Sequence, residues 1–170
     1  CKILDVAAGH GMYGITFLEE NPRAEVVALD WANVLAVASE HAAAAKVSDR
    51  HRTLPGSAFE VEWGAGFDLV LLPNFLHHFD ETGCREILKR AHRALAPGGR
   101  VVILEFIPNE DRATPAEAAG FALTMLAGTP GGDAYTFAEY RAMLDAVGFT
   151  DTTLHDLVPT PNRAVISRRA

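Results

Sequence analysis

The feature that most constrains this chain is a glycine-rich turn between an apolar run and a helical pattern. Residues 2–8 are mostly apolar, which predicts a buried strand, and Gly9-His10-Gly11-Met12-Tyr13-Gly14 follows directly. Ile15 and Leu18 then lie three residues apart, the spacing of one helix face. This order predicts a strand, a tight turn and a helix, the opening of a βαβ unit.

The rest of the chain continues the alternation of strands and helices. Further strands are predicted at residues 25–30, 50–54, 67–72 and 101–106, of which 50–54 is an edge candidate. Helices are predicted at residues 33–46, 84–95, 115–126 and 136–147, with Pro97-Gly98-Gly99 ending the second of these, and residues 150–157 and 163–167 predict an antiparallel hairpin. Such alternation predicts an α/β fold with a doubly wound, mostly parallel sheet and helices on both faces.

Length and charge limit the partners that such a fold can have. The chain has 170 residues, a length that suits one domain, so residues 1–170 are predicted to form a single domain. Its formal net charge of −7 repels phosphate groups, so we expect neither nucleic-acid nor anionic-membrane binding. No apolar run approaches the roughly 20 residues that a membrane span needs.

The cysteines give no sign of a disulfide framework or a metal centre. Cys1 and Cys84 lie far apart in the chain, and no Cys or His shows the spacing of zinc ligands. The side chains of the adjacent His77 and His78 diverge, so they are poor joint ligands. We therefore expect no metal site and a reducing, cytoplasmic location.

Ligands of such sheets bind beyond the carboxyl ends of the strands. The chemistry is therefore expected after Ala8, Asp30, Leu72 and Glu105. A G-x-G-x-x-G turn with an acidic residue nineteen positions after Gly11 is typical of a site for a nucleotide-type ligand, because free backbone N–H groups and a carboxylate face that ligand.

Two ligand classes share this geometry. A nicotinamide cofactor presents a pyrophosphate to the helix N-terminus, whereas S-adenosylmethionine presents a ribose and a zwitterionic amino-acid tail. Asp5, inside the first strand, favours S-adenosylmethionine, because a carboxylate there can order the turn and hold a cationic amino group, directly or through water. The same carboxylate fits poorly beside a pyrophosphate.

Four features of the chain together carry a family resemblance. They are residues 5–11 at the turn, Asp30, residues 67–79 with the two adjacent histidines, and residues 95–105 with the Pro97-Gly98-Gly99 turn and Glu105. They resemble the class I S-adenosylmethionine-dependent methyltransferases. Within that class they are most similar to the small-molecule O-methyltransferases typified by the caffeic acid and acetylserotonin enzymes.

The resemblance implies a fold, a cofactor and site residues. It implies a seven-stranded sheet with the last strand inserted antiparallel, and S-adenosylmethionine as a cofactor that leaves as S-adenosylhomocysteine. It implies a catalytic base at His77, an acid flanking that base at Glu105, and an acceptor contact at His78. The positions assigned to the cofactor are Asp5, Gly9, Gly11, Asp30, Trp31, Ser57, Ala58, Phe59, Pro73 and Asn74. Trp31 either stacks on adenine or is simply packed, and Asn74 is either a turn residue or a polar lining of the methyl site.

Three positions depart from the family pattern. The second flanking acid falls on Ala134, with Asp133 adjacent, and the acid usual near adenine falls on Ser57. His78 replaces a common Asp. These departures predict an altered or weakened acceptor site.

The enzymes that the chain resembles carry an N-terminal helical segment of comparable size. Because the chain begins at the first strand and without Met, we expect that segment to be missing from it. We expect a homodimer to form through that segment in the full-length protein, and an exposed apolar patch near residues 115–126 of this chain.

The sequence favours an O-methyltransferase that moves a methyl group from S-adenosylmethionine to a hydroxyl of a small phenolic or polyketide-like molecule. Two alternatives stay open. One is an NAD(P)-dependent oxidoreductase of the Rossmann type. The other is an S-adenosylmethionine-binding module without catalysis, which Ser57 and the missing second acid favour.

Overall fold

In the computed structural model, which describes residues 1–170, strands and helices alternate from the first residues to Glu105 except at residues 51–73, where two strands are joined by a loop without a helix. The strands are β1 (Lys2–Val6), β2 (Glu25–Asp30), β3 (His51–Pro55), β4 (Phe67–Pro73), β5 (Leu95–Glu105), β6 (Phe149–Asp156) and β7 (Arg163–Arg169). The helices are α1 (Met12–Glu20), α2 (Ala32–Ala44), α3 (Glu81–Ala94), α4 (Ala116–Gly128) and α5 (Phe137–Ala146), and a 3₁₀ turn spans Leu76–His78.

The seven strands form one sheet in the order β3-β2-β1-β4-β5-β7-β6. Strands β1 to β5 pair in parallel, whereas β7 runs antiparallel to both of its neighbours, β5 and β6. This arrangement confirms the predicted doubly wound sheet with an antiparallel C-terminal hairpin. The chain moves from β1 towards one edge and returns to β4 on the other side of β1, so a crevice opens beyond the carboxyl ends of these two strands.

The core lies on both faces of the central strands. Most side chains of β1 and β4 are buried, as expected for parallel strands covered on both sides. Helix α3 packs its apolar face against the sheet and begins at the cap residue Asp80, whose carboxylate accepts the N–H of Gly83 at 2.8 Å. This cap fixes the start of α3 directly after the 3₁₀ turn.

The largest difference from the sequence prediction lies where α3 meets β5. Helix α3 ends at Ala94, and β5 begins at Leu95 rather than at residue 101. Leu95 pairs with Phe67 and Arg100 with Leu69, so the residues between them bulge while the strand continues. The Pro97-Gly98-Gly99 turn therefore belongs to an irregular start of β5 rather than to a loop between helix and strand.

Helix α4 leaves much of its apolar surface open. Ala118 and Met125 are its buried residues, whereas Leu123 and Leu126 are 68% and 74% exposed. The apolar patch predicted near residues 115–126 is thus present on α4. None of the helices combines the length and the apolar character that crossing a membrane requires.

Packing, rather than backbone conformation, requires glycine at position 14. A methyl group there would lie 2.8 Å from Cγ1 of Val26 and 3.1 Å from Oδ2 of Asp5, whereas one at Gly120 on α4 would meet no atom within 4 Å. We expect Gly14→Ala to lower the free energy of unfolding by ~1–3 kcal/mol through overpacking. Gly120→Ala should raise it by ~0.5–1 kcal/mol, since Ala favours a helix. Urea unfolding compares the two variants, and equal effects would contradict the close approach of α1 to β2.

Candidate active site

Asp30 joins the glycine-rich turn to the end of β2. Its Oδ2 accepts the N–H of Gly9 at 2.9 Å, and its Oδ1 accepts the N–H of Trp31 at 2.7 Å. Each oxygen keeps a second lone pair, so the carboxylate can also accept hydroxyl groups of a ligand. Gly11 is the cap residue before α1 and has φ +80°, and a methyl group there would lie 2.9 Å from Cβ of Ala38. Conformation and packing therefore both require glycine at position 11.

Asp5 lies beneath this turn. It is fully buried, its Oδ2 accepts the N–H of Gly14 at 3.1 Å, and its Oδ1 has no partner. Burial raises the pKa of the carboxyl to about 7, the Gly14 hydrogen bond partly offsets this rise, and the charge of Asp30 adds to it. The residue thus orders the turn. The contact of Asp5 with a cationic amino group stays a prediction. Because Asp5 is fully buried, it has no surface for a direct contact with a ligand in this conformation of the turn.

A cavity of about 240 Å³ opens at the carboxyl ends of β1, β2 and β3. Its lining contains five of the residues predicted for the cofactor, Asp30, Trp31, Ser57, Ala58 and Phe59. The lining also contains residues that the sequence did not indicate, Ala7, Leu29, Gly56, Phe75 and Phe79. Most of these side chains are apolar, which suits a flat heterocyclic ring more than a highly charged group.

Two aromatic residues connect the cavity to the 3₁₀ turn. The ring of Phe79 meets those of Phe59 and Phe75 edge to face, each pair with centroids 5.0 Å apart. Phe75 and Phe79 stand on either side of Leu76–His78. The two phenylalanines that flank the adjacent histidines are the sequence signal that could have indicated these lining residues. They place one wall of the cavity on the segment that carries His77.

Asn74 follows β4 in a left-handed conformation, with φ +50°. Its N–H donates to the carbonyl of Leu104 at 2.8 Å, and its Oδ1 accepts Nδ2 of Asn162 at 3.2 Å. Its Nδ2 lies 3.5 Å from Oη of Tyr13. Asn74 is therefore a turn residue with a polar side chain at the sheet edge, and sequence reasoning missed the two partners of that side chain, Asn162 and Tyr13. Pro73, also predicted for the cofactor, ends β4 and lies outside the cavity lining.

Glu105 holds the 3₁₀ turn and the ring of His77 together. Its Oε1 accepts three backbone N–H groups, from Phe75 at 2.9 Å, Leu76 at 3.0 Å and His77 at 3.4 Å. Its Oε2 lies 2.6 Å from Nδ1 of His77. Both side chains are buried, with 1% of Glu105 and 7% of His77 exposed. Because a carboxylate can only accept, Nδ1 carries the hydrogen and the lone pair of the neutral ring lies on Nε2.

Aromatic rings pack around His77. Phe121 of α4 meets the imidazole edge to face with centroids 4.8 Å apart, and Phe106 stacks on Phe121 at 4.3 Å. The ring of His78 lies 4.2 Å from that of His77, and His78 is exposed. Partial desolvation lowers the pKa of His78, and the adjacent His77 lowers it further. The lowered pKa favours the neutral ring of His78, which can donate or accept a hydrogen bond.

The second acid expected beside the histidine is missing from this place. Ala134 is buried, and both oxygens of Asp133 are engaged elsewhere, by Arg112 at 2.9 Å and by the N–H of Ala134 at 2.8 Å. The backbone at Gly132 packs directly against the carbonyl of His77. Glu105 is thus the one acid bonded to His77. No cluster of three or more His, Cys, Asp or Glu residues is placed to hold a metal ion.

Comparison with known proteins places this geometry in a family. The family model of the O-methyltransferase domain matches residues 1–150. The chain belongs to this O-methyltransferase domain family. It is 34% identical to the 3-hydroxy-5-methyl-1-naphthoate 3-O-methyltransferase of Streptomyces sahachiroi, over 99% of this chain and 49% of that enzyme. It is also 34% identical to the 3-amino-4-hydroxybenzoate 4-O-methyltransferase of Streptomyces cremeus, over 86% of this chain and 40% of that enzyme.

A solved structure agrees with this assignment. A Nostoc punctiforme protein, provisionally named an O-methyltransferase, is 50% identical and superposes with a TM-score of 0.97, covering 99% of this chain and 52% of that one. This O-methyltransferase domain spans about half the length of the relatives that it matches. The family is one of S-adenosylmethionine-dependent methyltransferases, so the resemblance seen in the sequence is confirmed and the oxidoreductase alternative is wrong.

The buried carboxyl of Asp5 predicts a pH dependence of stability. Folded protein keeps the proton up to about pH 7, whereas the unfolded chain releases it near the ordinary value of 3.8. The contribution of this carboxyl to the free energy of unfolding therefore falls as the pH rises from near 3.8 to about 7, and it no longer changes above that pH. Asp5→Asn keeps an acceptor for Gly14 but cannot ionise. We expect its free energy of unfolding, relative to the native sequence, to rise by ~2–3 kcal/mol between pH 5 and pH 8.

Urea unfolding at several pH values measures this difference. Titration of histidines cancels in the comparison because both proteins contain them. Asp145→Asn, at an exposed carboxylate of α5, is the control variant. A constant difference for Asp5→Asn would show that Asp5 ionises normally in the folded protein.

Proposed function

We propose that this domain transfers a methyl group from S-adenosylmethionine to a hydroxyl of a small aromatic molecule, of the phenolic or polyketide type. The observation that carries the proposal is the buried His77–Glu105 pair, 2.6 Å apart, on a turn whose flanking aromatic residues line the cavity. A base with its free lone pair fixed on one nitrogen thus stands beside a site for a nucleoside.

The residues of the cavity fit this cofactor. Asp30 has acceptor capacity left for the two ribose hydroxyls, and the apolar walls from Trp31 and Phe59 suit the adenine. Oδ1 of Asp5 is a buried carboxyl oxygen without a partner beneath the turn, so Asp5 is proposed to act on the amino group of the cofactor through a water molecule and not by direct contact. When bound, S-adenosylmethionine supplies a methyl group on a positively charged sulfur.

His77 has the properties of a general base for the acceptor hydroxyl. A phenol attacks poorly while it is protonated, and a histidine within hydrogen-bond distance removes the proton, for an acceleration of roughly 10²–10⁴-fold. Glu105 keeps the proton on Nδ1 before the step and stabilises the imidazolium after it, because its Oε2 stays bonded to that nitrogen. The surrounding rings of Phe121 and Phe106 exclude water.

An aromatic acceptor is supported by the surfaces near His77. Phe121 and Phe106 form a stacked pair, against which a flat ring can lie. The two Streptomyces relatives are named for the methylation of a hydroxynaphthoate and of a hydroxybenzoate. His78, exposed and beside the base, is proposed to contact the acceptor, so His78→Ala should mainly raise the Michaelis constant for that molecule.

A second candidate function is cofactor binding without catalysis. It is favoured by the engagement of Asp133 with Arg112 and by Ala134, which leave His77 with one acid. Turnover measured against a library of phenols separates the two candidates, because both of them include cofactor binding.

Assembly is also a proposal. We propose that the protein containing this domain is a homodimer in which the apolar surface of α4 is covered. The exposure of Leu123 and Leu126 supports this, since burying apolar area contributes ~25 cal/mol per Å². Light scattering tests the assembly, and a monomer at every concentration would contradict it.

The free thiols of Cys1 and Cys84 support a reducing, cytoplasmic location.

Binding of S-adenosylhomocysteine should depend on Asp30. Asp30→Ala removes the acceptor for the ribose and for the N–H of Gly9, so affinity should fall by ~1.5–3 kcal/mol, the range for hydrogen bonds to charged groups. Isothermal titration calorimetry measures the loss, with Asp145→Asn as the control. Binding of NAD without binding of S-adenosylhomocysteine would contradict the proposed cofactor.

Turnover should depend on His77 and on the oxygen atoms of Glu105. In protein that methylates a hydroxyl acceptor, His77→Ala should lower turnover by ~10²–10⁴-fold and leave the affinity for S-adenosylhomocysteine unchanged. Glu105→Gln keeps a carbonyl oxygen for the three backbone N–H groups, but its NH₂ group faces Nδ1 of His77. The ring then favours a proton on Nε2, and turnover should fall by a similar factor.

A matched control is available on α3. His92 packs against Phe149, away from the cavity, so His92→Gln should leave turnover unchanged. Circular dichroism and thermal melting establish that the variants are folded. A Glu105→Gln protein with native turnover would rule out the proposed control of the tautomer.

A further inference from the structure

One wall of the cavity is an irregular loop between β3 and β4. Gly56, Ser57, Ala58 and Phe59 line the cavity, and the loop then turns back on itself. The carbonyl of Ser57 accepts the N–H groups of Glu60 and Val61, both at 3.0 Å, and its Oγ accepts the N–H of Phe59 at 3.2 Å. These three N–H groups are therefore satisfied within the loop.

Carbonyl groups of the loop are held by the side chains of Trp63, which lies in the loop itself, and of Arg90, which lies outside it. The indole N–H of Trp63 donates to Ala58 at 3.0 Å. Arg90 of α3 donates from Nη1 to the carbonyl of Val61 at 3.2 Å and from Nη2 to the carbonyl of Phe59. Its Nε donates to Glu86 at 3.3 Å, and its side chain is 20% exposed. One planar guanidinium thus spans two carbonyls of the wall, with Glu86 fixing its other side.

A displacement of Val61 would reach the cavity directly. Cγ1 of Val61 lies against Gly56, so closely that a methyl group on Gly56 would overlap it. Gly56 is itself a lining residue, and Ser57 is tied to Val61 through its carbonyl. Releasing Arg90 therefore loosens the lining residues of the wall, not only the surface of the loop.

We propose that Arg90 is a positioning residue for cofactor binding, which sets the wall formed by Gly56 to Phe59 in the shape that a nucleoside requires. The inference rests on the proposed function, since it needs S-adenosylmethionine in this cavity. Arg90 touches neither the cavity nor His77, so its effect passes through the two carbonyls. It should act on the binding of the cofactor and not on proton removal from the acceptor.

The neighbouring Arg93 offers a matched control. It lies on the same helix, meets the same Glu86 at 3.8 Å, is 70% exposed at its side chain and donates to no carbonyl of the loop. We expect Arg90→Met to weaken S-adenosylhomocysteine binding about tenfold, as a wall displaced by a fraction of an ångström would. Arg93→Met should leave the affinity unchanged. Calorimetry at a temperature well below the melting transition of every variant measures both.

Two further measurements separate positioning from a merely structural role. In protein that turns over an acceptor, Arg90→Met should raise the Michaelis constant for S-adenosylmethionine and leave kcat unchanged. Should Arg90→Met not fold, Arg90→Lys keeps a cation that cannot span two carbonyls, and its affinity should fall about threefold.

The outcomes distinguish this inference from the function on which it rests. Absence of S-adenosylhomocysteine binding in the native sequence would overturn the proposed function. Native binding together with unchanged affinity in Arg90→Met, or in Arg90→Lys if the first variant does not fold, would overturn the role of Arg90. A fall in kcat with an unchanged Michaelis constant for S-adenosylmethionine would overturn it as well.

Discussion

The carboxylate of Glu105 accepts four hydrogen bonds while almost fully buried, and the geometry of the site depends on it. Three donors are backbone N–H groups of the turn after β4, and the fourth is Nδ1 of His77. An isolated carboxylate at 1% exposure would be costly, so each of these donors stabilises the charge. One side chain thereby fixes the backbone of the turn, the orientation of the imidazole and the position of its proton.

The parallel sheet explains why Glu105 can do this. Pro73 at the end of β4 pairs with Leu104 of β5, so Glu105 lies opposite the start of the turn. Asp30 has a comparable role at the end of β2, where it accepts N–H groups from Gly9 and Trp31. Two carboxylates at strand ends therefore each hold a loop. The cavity lies between these loops, and His77 lies on the loop that Glu105 holds.

Much of the fold and of the site could be predicted because the signals are local. The glycine-rich turn, the buried strands and the closing hairpin are short patterns, and the positions of Asp30 and Glu105 follow from the rule that ligands bind beyond the carboxyl ends of strands. The early start of β5 could not be predicted, because it depends on pairing with Phe67 across a bulge. The contact of Asn162 with Asn74, 88 residues apart, and the bracing of the loop by Arg90 likewise depend on tertiary packing.

The central claim is that Glu105 keeps the proton of His77 on Nδ1 and leaves Nε2 free to act as a base. Nitrogen-15 NMR of the histidine side chains, with S-adenosylhomocysteine present and at a pH where the ring of His77 is neutral, tests it directly. The account predicts that Nδ1 of His77 is protonated and that Nε2 has the chemical shift of an unprotonated nitrogen. A His77 ring with its proton on Nε2 would contradict the account.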